Sequence, residues 1–258
     1  MRMSLHNFTL LSLLFFVAVS CKKTEVTDET DFQTERLTEL VMPLQSGKYI
    51  TYRVDSTVFT NFGRSSEIHR YQVKHVVDAL ITDNLDRPSY RIFRYISDST
   101  GTQPWQASGS YFITVLNDGI ELIEDNLRVV KLHTPVRNGG SWPGNNHLPS
   151  DAYGAFYGFS NDDAMASWHF FFDGEMKASE TIQGKTYNDV YTVAEADEAT
   201  NYPNTNPQDY ASYSFAVEKY SKNIGLVYRE LMLWEQQPST PDPYKVGFGI
   251  RMWMIAHN

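Results

Sequence analysis

One serine lies in a glycine-rich segment of the kind that surrounds some catalytic serines. Ser141 is in the centre of residues 139–143 (GGSWP). A nucleophilic serine at a sharp strand-to-helix turn is marked by Gly-x-Ser-x-Gly, and here proline takes the place of the second glycine. The segment therefore does not predict a catalytic serine. The chain has one cysteine, Cys21, so it can form no internal disulfide and offers one thiol as a nucleophile.

The seven histidines do not have the spacing of a metal site. None forms His-x-His or His-x-x-x-His, the spacings that bring two ligands together on one element. On a strand, His69 and His75 would lie about 20 Å apart. Residues 83–86 (DNLD) and 161–163 (NDD) lack the full pattern of a calcium loop. The sequence predicts no metal site, no phosphate-binding glycine loop and no cofactor.

Paired carboxylates are the remaining catalytic arrangement, since glycoside hydrolases use two of them at a defined separation. Glu121, Asp173, Glu175 and Glu230 are candidates, but an acidic β protein has many such residues. Sequence alone cannot pair them, so no catalytic residue is assigned.

Aromatic residues are dense in one loop-rich region, residues 102–172. Exposed rings on a β scaffold can stack on sugar faces, and clefts lined by aromatic residues are common ligand sites. The competing interpretation is that these rings fill the core, and we prefer it because Trp and Tyr are also common in cores and strands. The candidates for ligand binding are Trp105, Trp142, Tyr153, Tyr157 and Trp168.

The N-terminal segment has the pattern of a secretory signal. Residues 1–7 contain one Arg and no acid, and residues 8–19 (FTLLSLLFFVAV) are mostly apolar. This apolar run is shorter than the ~18–20 residues of a membrane-spanning helix, and it matches the apolar region of a signal peptide. Residues 1–20 are therefore predicted to be a signal peptide that is removed.

Residues 18–21 (AVSC) resemble a bacterial lipobox, in which the cysteine is acylated and the chain is cut before it. The resemblance implies a lipidated Cys21 that anchors the protein to a membrane, with Ala18 where the family most often has Leu. Anchoring by more than one acyl chain is stable. Lys22 stands where inner-membrane lipoproteins have Asp, which implies the outer membrane. The periplasmic or cell-surface face is not determined.

The chain after the signal is acidic. Residues 1–20 contain one base and no acid, so residues 21–258 carry 21 basic and 31 acidic side chains, a net charge of −10. This charge argues against nucleic acid as a partner, because such a partner requires a basic face, and against electrostatic docking on anionic lipid. Residues 21–41 are predicted to be the lipidated cysteine and a flexible tether. Residues 42–258 are predicted to form one β-rich globular domain.

Short apolar or alternating runs, separated by turn residues, fill the rest of the chain. This pattern predicts a mainly β fold. We expect a single antiparallel domain, a sandwich or a curved half-barrel of about 10–13 strands, with little helix. One short helix is expected at residues 161–166, capped by Ser160 or Asn161.

Three runs give the most specific predictions. Residues 111–116 and 120–123 flank Asn117-Asp118-Gly119, which indicates a hairpin. Aromatic and apolar residues alternate with small ones over residues 212–217, as in a half-buried strand. Residues 247–256 (GFGIRMWMIA) are apolar on both faces, which predicts a central strand.

Three segments resemble a loose group of uncharacterised Bacteroidota lipoproteins. They are residues 43–59 (PLQSGKYITYRVDSTVF), 137–144 (RNGGSWPG) and 218–235 (EKYSKNIGLVYRELMLWE). In the last segment Asn223 stands where the group has Gly, and Asn can still hold a left-handed turn. The resemblance implies a β fold and export as a lipoprotein, and it implies no activity.

Three functional hypotheses remain open. The first is a non-enzymatic envelope module that binds a glycan or another envelope protein, which requires an exposed aromatic patch. The second is a glycan-acting hydrolase, which requires two carboxylates about 5–10 Å apart in a cleft. The third is a carrier of lipid or apolar ligand, which requires an apolar-lined cavity.

Overall fold

The computed structural model describes residues 37–159, 163–203 and 206–258. This part of the chain is mainly β, and its strands form one antiparallel sheet. The strands are β1 (Tyr49–Thr60), β2 (Ser65–Thr82), β3 (Pro88–Asp98), β4 (Gln106–Val115), β5 (Gly119–Glu124), β6 (Leu127–His133), β7 (Ser141–Trp142), β8 (Phe170–Phe172), β9 (Lys177–Ile182), β10 (Lys185–Thr200), β11 (Ala211–Ser221), β12 (Gly225–Gln237) and β13 (Tyr244–His257).

Two meanders make up most of the sheet. The strand order is β6-β5-β4-β3-β2-β1-β13-β12-β11-β10-β8-β7, and β9 pairs with β10 off this path. The first and last strands, β1 and β13, join the two meanders in an antiparallel pair. The prediction of a central final strand is confirmed, because β13 lies between β1 and β12. The predicted hairpin is confirmed as β4 and β5, with Val115 opposite Ile120.

The sheet curves until it is nearly closed into a barrel. Its ends meet without a continuous ladder: the backbone N–H of Val130 in β6 donates to the carbonyl of Gly144, at 2.8 Å. Trp142 Nε1 of β7 also donates to the carbonyl of Val130, at 2.7 Å. The arrangement is barrel-like, whereas a sandwich would have two separate sheets packed face to face.

The concave face of β11 carries its smaller and more polar residues. Ser212, Ser214, Ala216 and Glu218 are buried, whereas the odd-numbered residues from 213 to 219 are half-buried. The strand prediction for this region is confirmed. The face of β11 that points inward is therefore less apolar than the face that points outward. A face toward a core is usually the more apolar one.

Residues 37–41 belong to the globular domain and not to the predicted tether of residues 21–41. Leu37 and Leu40 are fully buried, and residues 37–39 form a helical turn. The carbonyl of Glu39 accepts a bond from the backbone N–H of Asn223, at 2.7 Å. Asn223 has φ 63°, the left-handed turn expected there. Gly225, two residues later, has φ +103°, and a Cβ on it would lie 2.5 Å from the backbone nitrogen of Met42, so this close packing requires glycine.

Helix is limited in the described part of the chain. A four-residue helix spans Gly154–Tyr157 and a 3-10 helix spans Asp163–Ser167. The second overlaps the helix predicted at residues 161–166, but its predicted caps lie outside the described residues. None of the described helices has the length and hydrophobicity needed to cross a bilayer. The predicted signal peptide and Cys21 also lie outside the described residues.

Candidate functional site

The concave face of the sheet encloses a cavity of about 300 Å³. Side chains of a strand point alternately to its two faces, so each strand around the cavity contributes every second residue. The volume is at the lower end of the ~300–1,000 Å³ of ligand pockets. Its aliphatic wall comes from seven strands: Val54, Val73, Ile96, Leu122, Val129, Leu231, Ile250 and Met252.

A smaller cavity of about 80 Å³ adjoins it, on the side of the N-terminal segment. Val41 and Met42 contribute to its lining, so residues next to the helical turn at 37–39 close this end. Some side chains border both cavities. Charged and polar groups therefore lie between the wider compartment, whose lining is mixed, and the narrower one, whose lining is mostly apolar: His75, Glu124, Lys131 and Arg229.

Four strands bring a charged cluster together at this border. Lys131 Nζ of β6 lies 2.6 Å from Glu195 Oε1 of β10 and 2.9 Å from Glu218 Oε1 of β11. Arg229 Nε of β12 lies 3.4 Å from the same oxygen of Glu218. The hydroxyl of Tyr220 donates to the other oxygen of Glu218. The cluster is almost closed to solvent, since the side chains of Glu195 and Glu218 are 6% and 2% exposed.

The pKa values of the two carboxyl groups are shifted in opposite directions. Burial alone would raise the pKa of Glu218, but the Lys131 and Arg229 cations lower it below its usual range. Burial, with the charge of Glu218 nearby, raises the pKa of Glu195 to about 7. The carboxylates in turn outweigh the burial of Lys131 and raise its pKa. Lys131, Arg229 and Glu218 are therefore charged at neutral pH, and Glu195 is partly protonated.

His75 adds a neutral polar group between two tyrosines. Its ring centroid lies 5.1 Å from that of Tyr52 and 5.3 Å from that of Tyr111, in edge-on contacts. His75 Nδ1 is 3.1 Å from the hydroxyl of Tyr111. Burial, with Arg94 and Arg229 nearby, lowers the pKa of His75 to about 3. His75 is therefore an uncharged hydrogen-bonding group at neutral pH.

Aromatic side chains border the cavity on the side of the β7–β8 connection. The ring centroids of Tyr153 and Tyr157 lie 5.4 and 4.1 Å from that of Phe248 in β13. Trp168 is nearly buried, and its Nε1 donates to Glu198 at 3.3 Å. Tyr157 remains 45% exposed and Phe156 beside it 80% exposed, so this aromatic border reaches the protein surface.

Three of the five aromatic residues singled out from the sequence line the cavity: Tyr153, Tyr157 and Trp168. The other two lie elsewhere. Trp142 is 2% exposed and packs with Phe172 at the closure of the sheet, and Trp105 is 37% exposed. The five residues therefore do not form one exposed patch. The rings of Tyr153, Tyr157 and Trp168 form part of the cavity wall and do not form a flat surface on which a sugar could stack.

The acidic candidates from the sequence serve in ion pairs or lie at the surface. Glu121 pairs with Arg87 at 2.7 Å, and Glu230 pairs with Arg251 at 2.5 Å. Asp173 and Glu175 are exposed. Sequence analysis missed the functional cluster, whose members come from four separate strands. One sequence signal could have indicated the cluster: Glu218 is a lone acid on the face of β11 that otherwise carries small residues.

The cluster contains a close pair of carboxylates but no metal site. Because both Oε1 atoms contact one Nζ at 2.6 and 2.9 Å, Glu195 and Glu218 bring those oxygens within 5.5 Å of each other. Lys131 Nζ occupies the space between them. Within residues 37–159, 163–203 and 206–258, no three His, Cys, Asp or Glu side chains are grouped to hold a metal ion.

Three solved structures show distant similarity to this chain. An exported protein with a YmcC-like fold from Bacteroides fragilis has 10% identity and a TM-score of 0.39, over 85% of this chain and 99% of that one. A structure described as a lipoprotein from Parabacteroides distasonis has 10% identity and a TM-score of 0.36, over 84% and 97%. A domain described as an outer-membrane lipoprotein-sorting protein, from Vibrio parahaemolyticus, has 12% identity and a TM-score of 0.21, over 89% and 92%.

No protein-family model matches the chain, and no curated protein matches it. At these identities and TM-scores the comparisons assign no function, which leaves the cavity and its lining as the basis for one.

Proposed function

We propose that this protein is an envelope-anchored lipoprotein that binds an amphiphilic, largely apolar ligand in the concave cavity. The single observation that carries the proposal is the 300 Å³ cavity itself, whose lining combines aliphatic side chains with buried charged groups. The space equals that of about ten water molecules at about 30 Å³ each, so a short alkyl chain fits it. The proposed anchor, a lipidated Cys21 in the outer membrane, would keep the protein beside a source of such molecules.

The lining supports an amphiphile over a wholly apolar molecule. Several strands supply aliphatic side chains to the wall, and these would contact a hydrocarbon chain. The border with Lys131 and Arg229 would contact a polar head group. Ligand sites commonly combine an apolar lining with a few placed polar groups.

A glycan-acting hydrolase fits the same residues less well. The Oε1 atoms of Glu195 and Glu218 lie no more than 5.5 Å apart, and the pKa values of the two groups are moved in opposite directions. The glycosidic bond would have to lie between the two carboxyl groups, and Lys131 Nζ is within 2.9 Å of both. A glycan-binding surface fits less well again, because Trp142 is buried and shares no exposed face with Trp105.

A series of straight-chain alcohols tests the proposed function. Each added methylene should tighten binding about fourfold, because burial of one CH₂ contributes about 0.8 kcal/mol, until the cavity is full. Isothermal titration calorimetry or displacement of a fluorescent apolar probe measures the dissociation constants. An affinity that does not change with chain length would contradict the proposal.

A matched pair of variants places the binding in the cavity. Val73→Phe adds volume to the wall and should weaken alcohol binding at least tenfold. Val76→Phe makes the same change on the opposite, convex face of β2, since the two positions are an odd number of residues apart. Binding by the Val76 variant should equal that of the unchanged protein. Equal binding by both variants would place the ligand elsewhere.

A further inference from the structure

The charged border of the cavity has one cation shared by two acids. Lys131 Nζ contacts Glu195 on one side and Glu218 on the other. Among the acids of the described residues, Arg229 contacts Glu218, at 3.4 Å, and its side chain is 22% exposed. Glu218 also accepts a hydrogen bond from the hydroxyl of Tyr220, so three side chains contact its carboxylate. Of the two acids, Glu195 has fewer contacts, since Lys131 is its one partner in the cluster.

The charge of the cluster depends on Glu195. With Glu195 ionised, two cations face two carboxylates and the cluster is neutral. With Glu195 protonated, Lys131 and Arg229 exceed Glu218 by one positive charge. Because burial and Glu218 raise the pKa of Glu195 to about 7, both forms are populated near neutral pH.

The other groups that face Glu195 and the cavity leave this charge difference in place. Arg94 of β3 pairs with Glu124 of β5, and Asp125 beside them is 70% exposed and screened by solvent. His75 of β2 is neutral, with a pKa of about 3. Tyr157 lies at the surface end of the cavity. Burial raises the pKa values of five further phenols: Tyr52 of β1, Tyr71 of β2, Tyr111 of β4, Tyr153, and Tyr220 of β11.

We propose that the cavity selects an amphiphile with one negative charge, whose head group binds Arg229 and Lys131 and whose binding is accompanied by uptake of one proton by Glu195. This inference rests on the proposed function. The anion takes the place of the Glu195 carboxylate beside Lys131 Nζ, and Glu195 becomes a neutral carboxylic acid with a proton from solvent. The cluster, with the ligand, is then neutral again, so no uncompensated charge is buried.

The geometry suits an oxyanion head group. A guanidinium presents a planar fork of donors to carboxylate or sulfonate oxygens, and an ammonium adds donors from a second direction. Arg94 Nε is also buried in the cavity region, without a hydrogen-bond partner among the described residues. The aliphatic side chains of Leu231, Ile250 and Met252 lie beside the cluster in the same cavity, where the alkyl chain would pack.

Three ligands of one chain length separate the charge of the head group from the burial of the chain. They are decane-1-sulfonate, which is anionic at every pH used, decan-1-ol and decylamine. Calorimetry at pH 6, 7, 8 and 9 should show the sulfonate binding at least tenfold more tightly than the alcohol at pH 6. Its affinity should fall about tenfold from pH 8 to pH 9, because one proton must then be taken up with each ligand. The alcohol's affinity should not depend on pH.

Glu195→Gln removes the titrating group and keeps its shape. In this variant the sulfonate should bind at every pH as tightly as it binds the unchanged protein at pH 6. Glu180→Gln, which changes an acid paired with Lys177 and Lys219, is the control and should retain the pH dependence. Proton uptake by the unchanged protein, from titrations in two buffers of different ionisation enthalpy, tests the same point without a variant. The expected value is close to one proton per sulfonate at pH 8.

The outcomes distinguish this inference from the proposed function. Equal binding of sulfonate and alcohol would overturn the choice of an anion and leave the apolar cavity in place. Tightest binding of the amine, or no proton uptake with the sulfonate, would also overturn the inference alone. Failure of all three ligands to bind would overturn the proposed function with it.

Discussion

Glu195 and His75 respond to pH in opposite directions. The pKa of folded Glu195 is about 7, above its ordinary value of 4.5, so its stabilising contribution is present at low pH and is lost as the pH rises toward 7. The pKa of folded His75 is about 3, below its ordinary value of 6.5, so its contribution is present above pH 6.5 and is lost as the pH falls. Between about pH 4.5 and 6.5 the two effects oppose each other.

Removing one of the two groups should reveal the other. Relative to the unchanged protein, Glu195→Gln should lose about 1.4 kcal/mol of unfolding free energy for each unit that the pH falls from 7 to 5. His75→Gln should gain about the same amount per unit from pH 6.5 to 4.5. Urea unfolding followed by circular dichroism at each pH measures both. Parallel pH profiles for the two variants would show that the buried groups do not titrate as described.

Single residues also show where the site could be predicted from the sequence. Tyr153, Tyr157 and Trp168 were chosen for their aromatic type, and they line the cavity. The charged cluster could not be predicted, because Lys131 and Glu195 are 64 residues apart and meet only when the sheet curves back on itself. No local pattern encodes such a contact.

At the level of elements, local sequence signals predicted where strands occur. They did not predict which face of a strand points inward. Turn residues marked the β4–β5 hairpin, and two-sided hydrophobicity marked β13 as central. Alternation in β11 predicted a strand, but the face with Ser212, Ser214 and Glu218 is the one that faces inward. A sheet that encloses a cavity can place small and polar residues inward, since the interior there is not completely filled.

The closure between β6 and the β7–β8 end includes one close approach, at Gly144. Gly144 accepts the backbone N–H of Val130, and a Cβ on Gly144 would lie 2.3 Å from the ring of Phe170. Gly144→Ala should therefore destabilise the fold by about 1–3 kcal/mol, the usual effect of overpacking. Ser141→Ala, at an exposed position nearby, should change stability by less than about 0.5 kcal/mol. Equal urea midpoints for the two variants would contradict this account of the closure.

At the level of the whole molecule, the strands form a nearly closed barrel around a space with two compartments. The first and last strands join the two halves of the sheet. Residues 41 and 42 close the smaller compartment, and aromatic side chains border the larger one. A sandwich and a curved half-barrel were equally compatible with the sequence, because strand spacing does not say whether a sheet closes. The curvature of the single sheet makes the cavity, and the cavity is the basis for the proposed ligand.

Quenching of Trp168 by a brominated decanoate tests the central proposal most directly. Trp168 lines the cavity, whereas Trp105 is a partly exposed residue away from it. We predict saturable loss of tryptophan fluorescence in the unchanged protein and in Trp105→Phe, and loss of most of that quenching in Trp168→Phe with its thermal unfolding still cooperative. Quenching that does not saturate, or that is the same in both variants, would show that the alkyl chain does not bind in the concave cavity.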